Sequence, residues 1–208
     1  MQSPNTDPLT AAVAFAARAH EGQTFRSTDA PRIVHPMEVA AIAATMTSDH
    51  EILAAAMLHD VMEDCGVSFE ELRARFGERV ATLVRDESQS EGPESRASWG
   101  RRKREAVRRL ARGSRDAKII CLSDKLSNMR AIFRDVGREG DAVFMRFNQH
   151  DKRQHAWYYR SCAALMEGEL GRTLAWQELS GLIAQVFGGV ESLMPEDAEE
   201  EEVRAHAI

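Results

Sequence analysis

Apolar residues recur at helical spacing along almost the whole chain, and no alternating run is long enough to form a convincing strand. The pattern predicts a first helix from near Leu9 through AAVAFAARAH, ended by Gly22. A polar loop, QTFRSTDAP, lies between Gly22 and Pro31. Pro36 suits the first turn of a second helix, where a missing N–H costs nothing, and His35 then falls at or beside its cap. Ser48 followed by Glu51 reads as a capping box opening one continuous helix, EILAAAMLHDVMED, which Gly66 ends. Ser68 and Glu71 repeat the signature for FEELRARF, closed by Gly77, and ERVATLV follows as a short helix. After the loop EGPESRAS come a basic helix, Trp99 to Arg112, and an apolar one, Ala117 to Phe133. AVFMRFNQ, the segment from His155 to Leu170 and a last helix, TLAWQELSGLIAQVF, complete the body. The expected fold is an all-α helical bundle over 9–188. A short tail, 1–8, precedes it, and an acidic tail, 189–208, expected to be disordered, follows. No internal repeat interrupts this plan.

Composition narrows the class rather than the function. The 208 residues carry 27 basic and 33 acidic side chains, a formal charge of −6, with 43% hydrophobic residues. That balance disfavours a nucleic-acid polymer as partner, although a local basic patch is allowed. Cys65, Cys121 and Cys162 are odd in number and lack paired metal spacing, which points to a reducing compartment. No apolar run approaches the roughly 18 residues a spanning helix needs. The N-terminus has neither the basic start nor the apolar core of a signal peptide. The expectation is a cytoplasmic domain without a membrane partner; a homo-oligomer is compatible with it.

Chemistry concentrates at the end of the EILAAAMLHDVMED segment, which is apolar for two turns and then presents His59, Asp60, Glu63 and Asp64. In a continuous helix Glu63 lies beneath His59 and Asp64 beneath Asp60. Ionisable groups at the end of a buried helix are costly unless paired or bound to a cation. Adjacent His and Asp offer a nitrogen and an oxygen to one divalent ion. The plain alternative is a solvated acidic surface, against which stands the unfavourable helix dipole. His35 taken alone is an ordinary cap residue, and Asp124 in AKIICLSDKLSNMRAIF is ordinarily an ion-pair partner of a nearby Lys or Arg.

Taken together, an isolated His, a His-Asp pair and a distant Asp form a known pattern. The chain resembles the HD-domain metal-dependent phosphohydrolases, and within them the guanosine tetraphosphate (alarmone) hydrolases, including the small stand-alone ones. The resemblance is carried by AFAARAHEGQ, PRIVHPMEVA, AAAMLHDVMED, FGERVATLV and LSDKLSNMR, in the family's order, over roughly residues 10 to 135. It implies an HD-domain bundle in which His35, His59, Asp60 and Asp124 bind one divalent ion, most often Mn2+. It implies that Glu63 and Asp64 orient and activate the attacking water, and that Asn128 contacts the nucleotide. A chain of 208 residues has no room for a synthetase beside such a hydrolase, so degradation alone is expected.

The substrate side departs from the family. A basic pair is usual after the Gly-Gln; here the stretch reads Gln23-Thr24-Phe25-Arg26, leaving Arg26 as the cation and Phe25 as an aromatic face on which a base could stack. Arg32 stands where Tyr is common, Cys65 where Thr is usual, and Arg-Asp-Glu-Ser-Gln-Ser replaces a Gly-Val-Thr type of turn after Val84. The stretch from Arg96 to Arg115 holds nine Arg or Lys, ordinarily a solvated face. Lys103 shares a stripe with Trp99, Ala106 and Leu110, which turns it inward; the resemblance makes it the phosphate-contacting lysine. Trp157 and Tyr158 read as core. The resulting expectation is hydrolysis of the 3′-pyrophosphate of guanosine 3′,5′-bis(diphosphate). The alternatives are the same chemistry on NADPH or a deoxynucleotide, and a silent nucleotide-binding module.

Overall fold

The computed structural model describes residues 7–25, 28–88 and 96–195. Its elements are α1 (Pro8–Ala19), α2 (Val34–Ala43), α3 (His50–Leu58), α4 (Val61–Cys65), α5 (Phe69–Glu87), α6 (Arg96–Arg112), α7 (Arg115–Glu139), a 3-10 helix (Gly140–Arg146), α8 (Lys152–Leu170) and α9 (Leu174–Phe187). Among the described residues the only extended pairing is an isolated bridge between Thr24 and Pro31. The fold is all-α. No described helix is long and apolar enough to cross a membrane.

The chain divides into two compact units. In the first, α3 is central, packed by α1, α2 and α5. Its sequence explains that position: every residue from Ile52 to Leu58 is buried, as expected of a helix that is apolar all round. Gly113–Ser127, including the first half of α7, belongs to the same unit and contributes buried Ile119, Ile120, Leu122 and Leu126.

Local chemistry sets the boundaries. Asp7 caps α1 by accepting from the Thr10 N–H at 2.9 Å, and Pro8 occupies its first turn. The cap of α3 is Asp49, which accepts from the Glu51 N–H; Ser48, expected for that role, is displaced by one residue. The expected continuous helix is also broken. A turn at His59–Asp60 separates α3 from α4, although the Asp64 N–H still reaches the Asp60 carbonyl at 2.8 Å. Gly66, at φ 67°, ends α4 in the left-handed conformation that glycine adopts at little cost. Ser68 caps α5 as expected, and Gly77, at φ 87°, kinks it into the two predicted segments.

The second unit holds α6, α7 from Asn128 onward, the 3-10 helix, α8 and α9. Helix α8 packs against both α6 and α9. AVFMRFNQ, read from sequence as part of the body, forms most of the 3-10 helix, and Phe144 is fully buried against Phe147, His155 and Phe187. Tyr158 is core, as expected, whereas Trp157 is only half-buried. The acidic tail beyond Pro195 and most of the 1–8 segment lie outside the described residues.

Candidate metal centre

The first unit brings four ionisable side chains to one point. The donor atoms of His35, His59 and Asp124 all lie within 4.8 Å of one another. His35 Nε2 is 3.2 Å from His59 Nε2 and 3.1 Å from Asp124 Oδ1. Asp60 joins them, with Oδ1 at 3.1 Å from His59 Nε2 and Oδ2 at 3.6 Å from His35 Nε2. The turn that breaks α3 from α4 supplies His59 and Asp60, the first turn of α2 supplies His35, and the apolar face of α7 supplies Asp124. His35, His59 and Asp124 are all buried.

Hydrogen bonds behind the imidazoles fix their tautomers. His59 Nδ1 faces the Ala56 carbonyl at 2.9 Å; a carbonyl only accepts, so Nδ1 carries the proton. Ser127 Oγ gives its single proton to Glu38 at 2.8 Å, so His35 Nδ1, 3.0 Å away, must donate to Ser127. In the neutral rings Nε2 is therefore the unprotonated nitrogen of each, and both Nε2 atoms converge on one point beside two carboxylates. Such an arrangement favours a positive charge between them, and imidazoles held from behind are the usual dress of metal-ligating histidines. The nitrogen and oxygen donor set fits a divalent first-row ion.

Electrostatics agree in sign. Burial opposes protonation of His59, yet Asp60 and Asp124 outweigh it and push the imidazole up to about 9. Burial works to raise Asp60 and Asp124, but the histidines, and Lys125 for Asp124, hold both carboxyls well below the usual range. Lys125 contacts Asp124 Oδ2 and lies 3.2 Å from Glu87 Oε1, with Lys125 and both acids largely buried. It thus occupies one oxygen of Asp124 and leaves Oδ1 toward the histidines.

Asp64 lies beside this cluster. Arg32 Nη2 reaches Asp64 Oδ2 at 2.7 Å and Asp60 Oδ2 at 3.2 Å. Burial and the charge of Asp60 raise the Asp64 carboxyl in spite of Arg32. Gln23 Nε2 donates to the Asp64 carbonyl at 2.9 Å, and His20 Nδ1 lies 2.9 Å from Gln23 Oε1. Phe25 comes into the group through Arg32, whose guanidinium sits 5.5 Å from its ring centroid. Glu63 is exposed on α4, one residue before Asp64.

The remaining expected substrate contacts belong to the second unit or fall outside the described residues. Asn128 follows Asp124 by one turn of α7 and belongs to the second unit. Lys103 is also in that unit, its ammonium 4.8 Å from the Tyr158 ring centroid and 6.0 Å from that of Trp99. Arg26 lies outside the described residues. Sequence reasoning gave no role to Ser127, Glu38, Glu87 or Arg32. Ser127, one polar residue in the apolar stripe of α7, and Glu38, three residues after His35, were the available signals.

A helical domain with a buried His-His-Asp donor set and an adjacent His-Asp pair defines a class of metal-site proteins, and the comparisons give the class its family. Residues 12–151 match the HD domain, and the chain belongs to that family. It is 50% identical over 84 residues to a guanosine-3′,5′-bis(diphosphate) 3′-pyrophosphohydrolase of Vibrio cholerae, covering 40% of this chain and 12% of the relative. It is 35% identical over 137 residues to an enzyme of the same description from Danio rerio, covering 64% of this chain and 74% of the relative. A solved structure described as a metazoan ortholog of SpoT that hydrolyses ppGpp superposes with a TM-score of 0.68 at 25% identity, covering 89% of this chain and 98% of the other. The chain spans only 12% to 19% of the length of the first long curated relatives it matches.

Proposed function

We propose that this protein is a metal-dependent phosphohydrolase that removes the 3′-pyrophosphate of guanosine 3′,5′-bis(diphosphate) in the cytoplasm. One observation carries the reading: two histidines whose Nδ1 protons are committed elsewhere aim Nε2 at the same point as Asp124 and Asp60. The names of the relatives supply the substrate. In this reading His35, His59, Asp60 and Asp124 hold the ion, Mn2+. A bound divalent ion supplies Lewis acidity toward a phosphoryl oxygen and lowers the pKa of water.

The rest of the work falls to the chain itself. Asp64, its carboxyl raised from its ordinary value by burial and Asp60, accepts the proton of the attacking water, and Glu63 assists. The leaving fragment is inorganic pyrophosphate, and the nucleotide retains its 3′ hydroxyl and 5′-diphosphate. Phe25, Arg26, Lys103 and Asn128 are the proposed nucleotide contacts, with Phe25 stacking on the base.

A second reading keeps the centre and changes the nucleotide. It is favoured by Arg32, which lies on the acids and over the Phe25 ring where the related hydrolases commonly have Tyr. The test is to incubate the Mn2+-loaded protein with a panel of phosphorylated nucleotides and resolve the products by anion exchange. Release of pyrophosphate from guanosine tetraphosphate, absent in Asp60→Ala, is expected. Turnover of another nucleotide alone would move the assignment to the second reading.

A further inference from the structure

Among the described residues between α1 and α2, a short antiparallel pairing carries Arg32. The Thr24–Pro31 bridge forms it, with the Phe25 N–H donating to the Ala30 carbonyl at 2.9 Å and the Arg32 N–H to the Gln23 carbonyl at 2.9 Å. Gln23 in turn anchors its base to the Asp64 carbonyl. Arg32 emerges from this frame with its guanidinium over the Phe25 ring and against Asp60 and Asp64. Both carboxylate contacts run through Nη2, and the buried Nε has no hydrogen-bond partner. The side chain is nevertheless 32% exposed.

Charge gives this placement a meaning. Asp60, Asp64 and Asp124 converge here, with Glu63 on the same short helix, and such a group repels an approaching phosphate. Lys125 also touches the cluster, but it lies inside, a tenth exposed and bonded to Glu87 and Asp124. Among the described residues, Arg32 is a cation that contacts Asp60 and Asp64 and is also partly exposed. A guanidinium can hold carboxylates on one side and a phosphate oxygen on another, because its five donors are spread around a plane.

We infer that Arg32 is a substrate-contacting residue, which receives an oxygen of the phosphate group beside the metal centre while Phe25 holds its plane. This inference rests on the phosphohydrolase reading, but not on which nucleotide is turned over. It assigns to this chain a phosphate contact on that pairing, where the related hydrolases commonly carry a tyrosine.

The test uses the full chain loaded with Mn2+, and inorganic phosphate as the probe, titrated calorimetrically into the wild type, Arg32→Ala and Arg32→Lys. Mn2+ affinity is measured separately for each protein. Arg32→Ala is expected to weaken phosphate binding about 10- to 100-fold, the effect of losing a charged hydrogen bond, with Mn2+ affinity changed less than about 3-fold. Arg32→Lys should recover only part of the loss, since it keeps the charge without the fork. In turnover, added guanidinium ion should partly restore Arg32→Ala. Unchanged phosphate affinity in Arg32→Ala overturns the inference. So does a parallel collapse of Mn2+ affinity, which would make Arg32 a positioning residue for Asp60. Phosphate binding that depends on Arg32 in a protein inactive on guanosine tetraphosphate would sink the substrate reading alone.

Discussion

Replacing Lys125 with Met removes the buried ammonium between Glu87 and Asp124 and leaves Asp124 to the histidines. The ammonium lies 3.2 Å from Glu87 Oε1 and contacts Asp124 Oδ2, with exposures of 10% for Lys125, 14% for Glu87 and 10% for Asp124. At that depth solvent screening is weak. Removing one partner of a buried ion pair typically costs about 3–5 kcal/mol, because the remaining charge has no compensation. A typical domain has about 5–15 kcal/mol in all, so the metal-free variant should be close to unfolding. Urea unfolding followed by circular dichroism, with chelator present at pH 7, measures the loss directly. The pH dependence carries a sign. Burial raises the Glu87 carboxyl above its ordinary 4.5 in spite of Lys125, so the folded state takes up that proton more readily than the unfolded chain does. Stability linked to that proton is present in acid and lost as pH rises through the raised value. The penalty in Lys125→Met should therefore shrink as pH falls toward 5. Adding Glu87→Leu should recover about half of it at pH 7. A loss below about 1 kcal/mol would refute the reasoning, since it would mean that the carboxylates are solvated or find another cation.

Three other perturbations test separate parts of the account. Ser127→Ala removes the acceptor that fixes the His35 tautomer and should weaken Mn2+ binding about 10- to 100-fold by calorimetry; unchanged affinity would remove the tautomer argument. His155 is buried, which lowers its pKa below 6.5, and its Nε2–H donates to the Gln149 carbonyl at 2.8 Å. The unfolded chain then binds the extra proton, so its stabilising contribution is present above pH 6.5 and lost as pH falls through the lowered value. His155→Gln should flatten that slope in urea midpoints between pH 5 and 7.5, and an unaltered slope would contradict the assignment. Gly66→Ala meets no atom within 4 Å but sits at φ +67°, so it should cost about 1 kcal/mol through backbone strain alone. A neutral result would show that α4 can end another way.

Much of the helix plan was legible because helix ends are written in short-range chemistry. Ser68, Gly66 and Gly77 act within a few residues of where they stand. The break at His59–Asp60 was not legible, because its apolar flanks are what a continuous helix also shows. His35, His59, Asp60 and Asp124 were legible together, as an isolated His, a His-Asp pair and a distant Asp, although His35 and Asp124 are ordinary taken singly. Their common focus is a tertiary fact that spacing along the chain does not contain. The residues behind them were harder still. Ser127 and Glu38 carry no mark of a shared role in the sequence until the structure stacks them behind His35. Glu87 is the last residue of α5, in a stretch expected from sequence to be a turn, and only packing brings it to Lys125. Arg32 was visible as a departure, but its role depends on a pairing that sets it against Asp60 and Asp64.

The account's central claim is that His35, His59, Asp60 and Asp124 form a divalent metal centre on which phosphohydrolysis depends. Its most direct test titrates Mn2+ into chelator-treated protein and follows both metal occupancy and pyrophosphate release from guanosine tetraphosphate. The account predicts that activity rises in proportion to occupancy of one site per chain, and that both are lost in Asp124→Ala. Hydrolysis that persists without metal, or metal bound stoichiometrically by Asp124→Ala with activity intact, would contradict it.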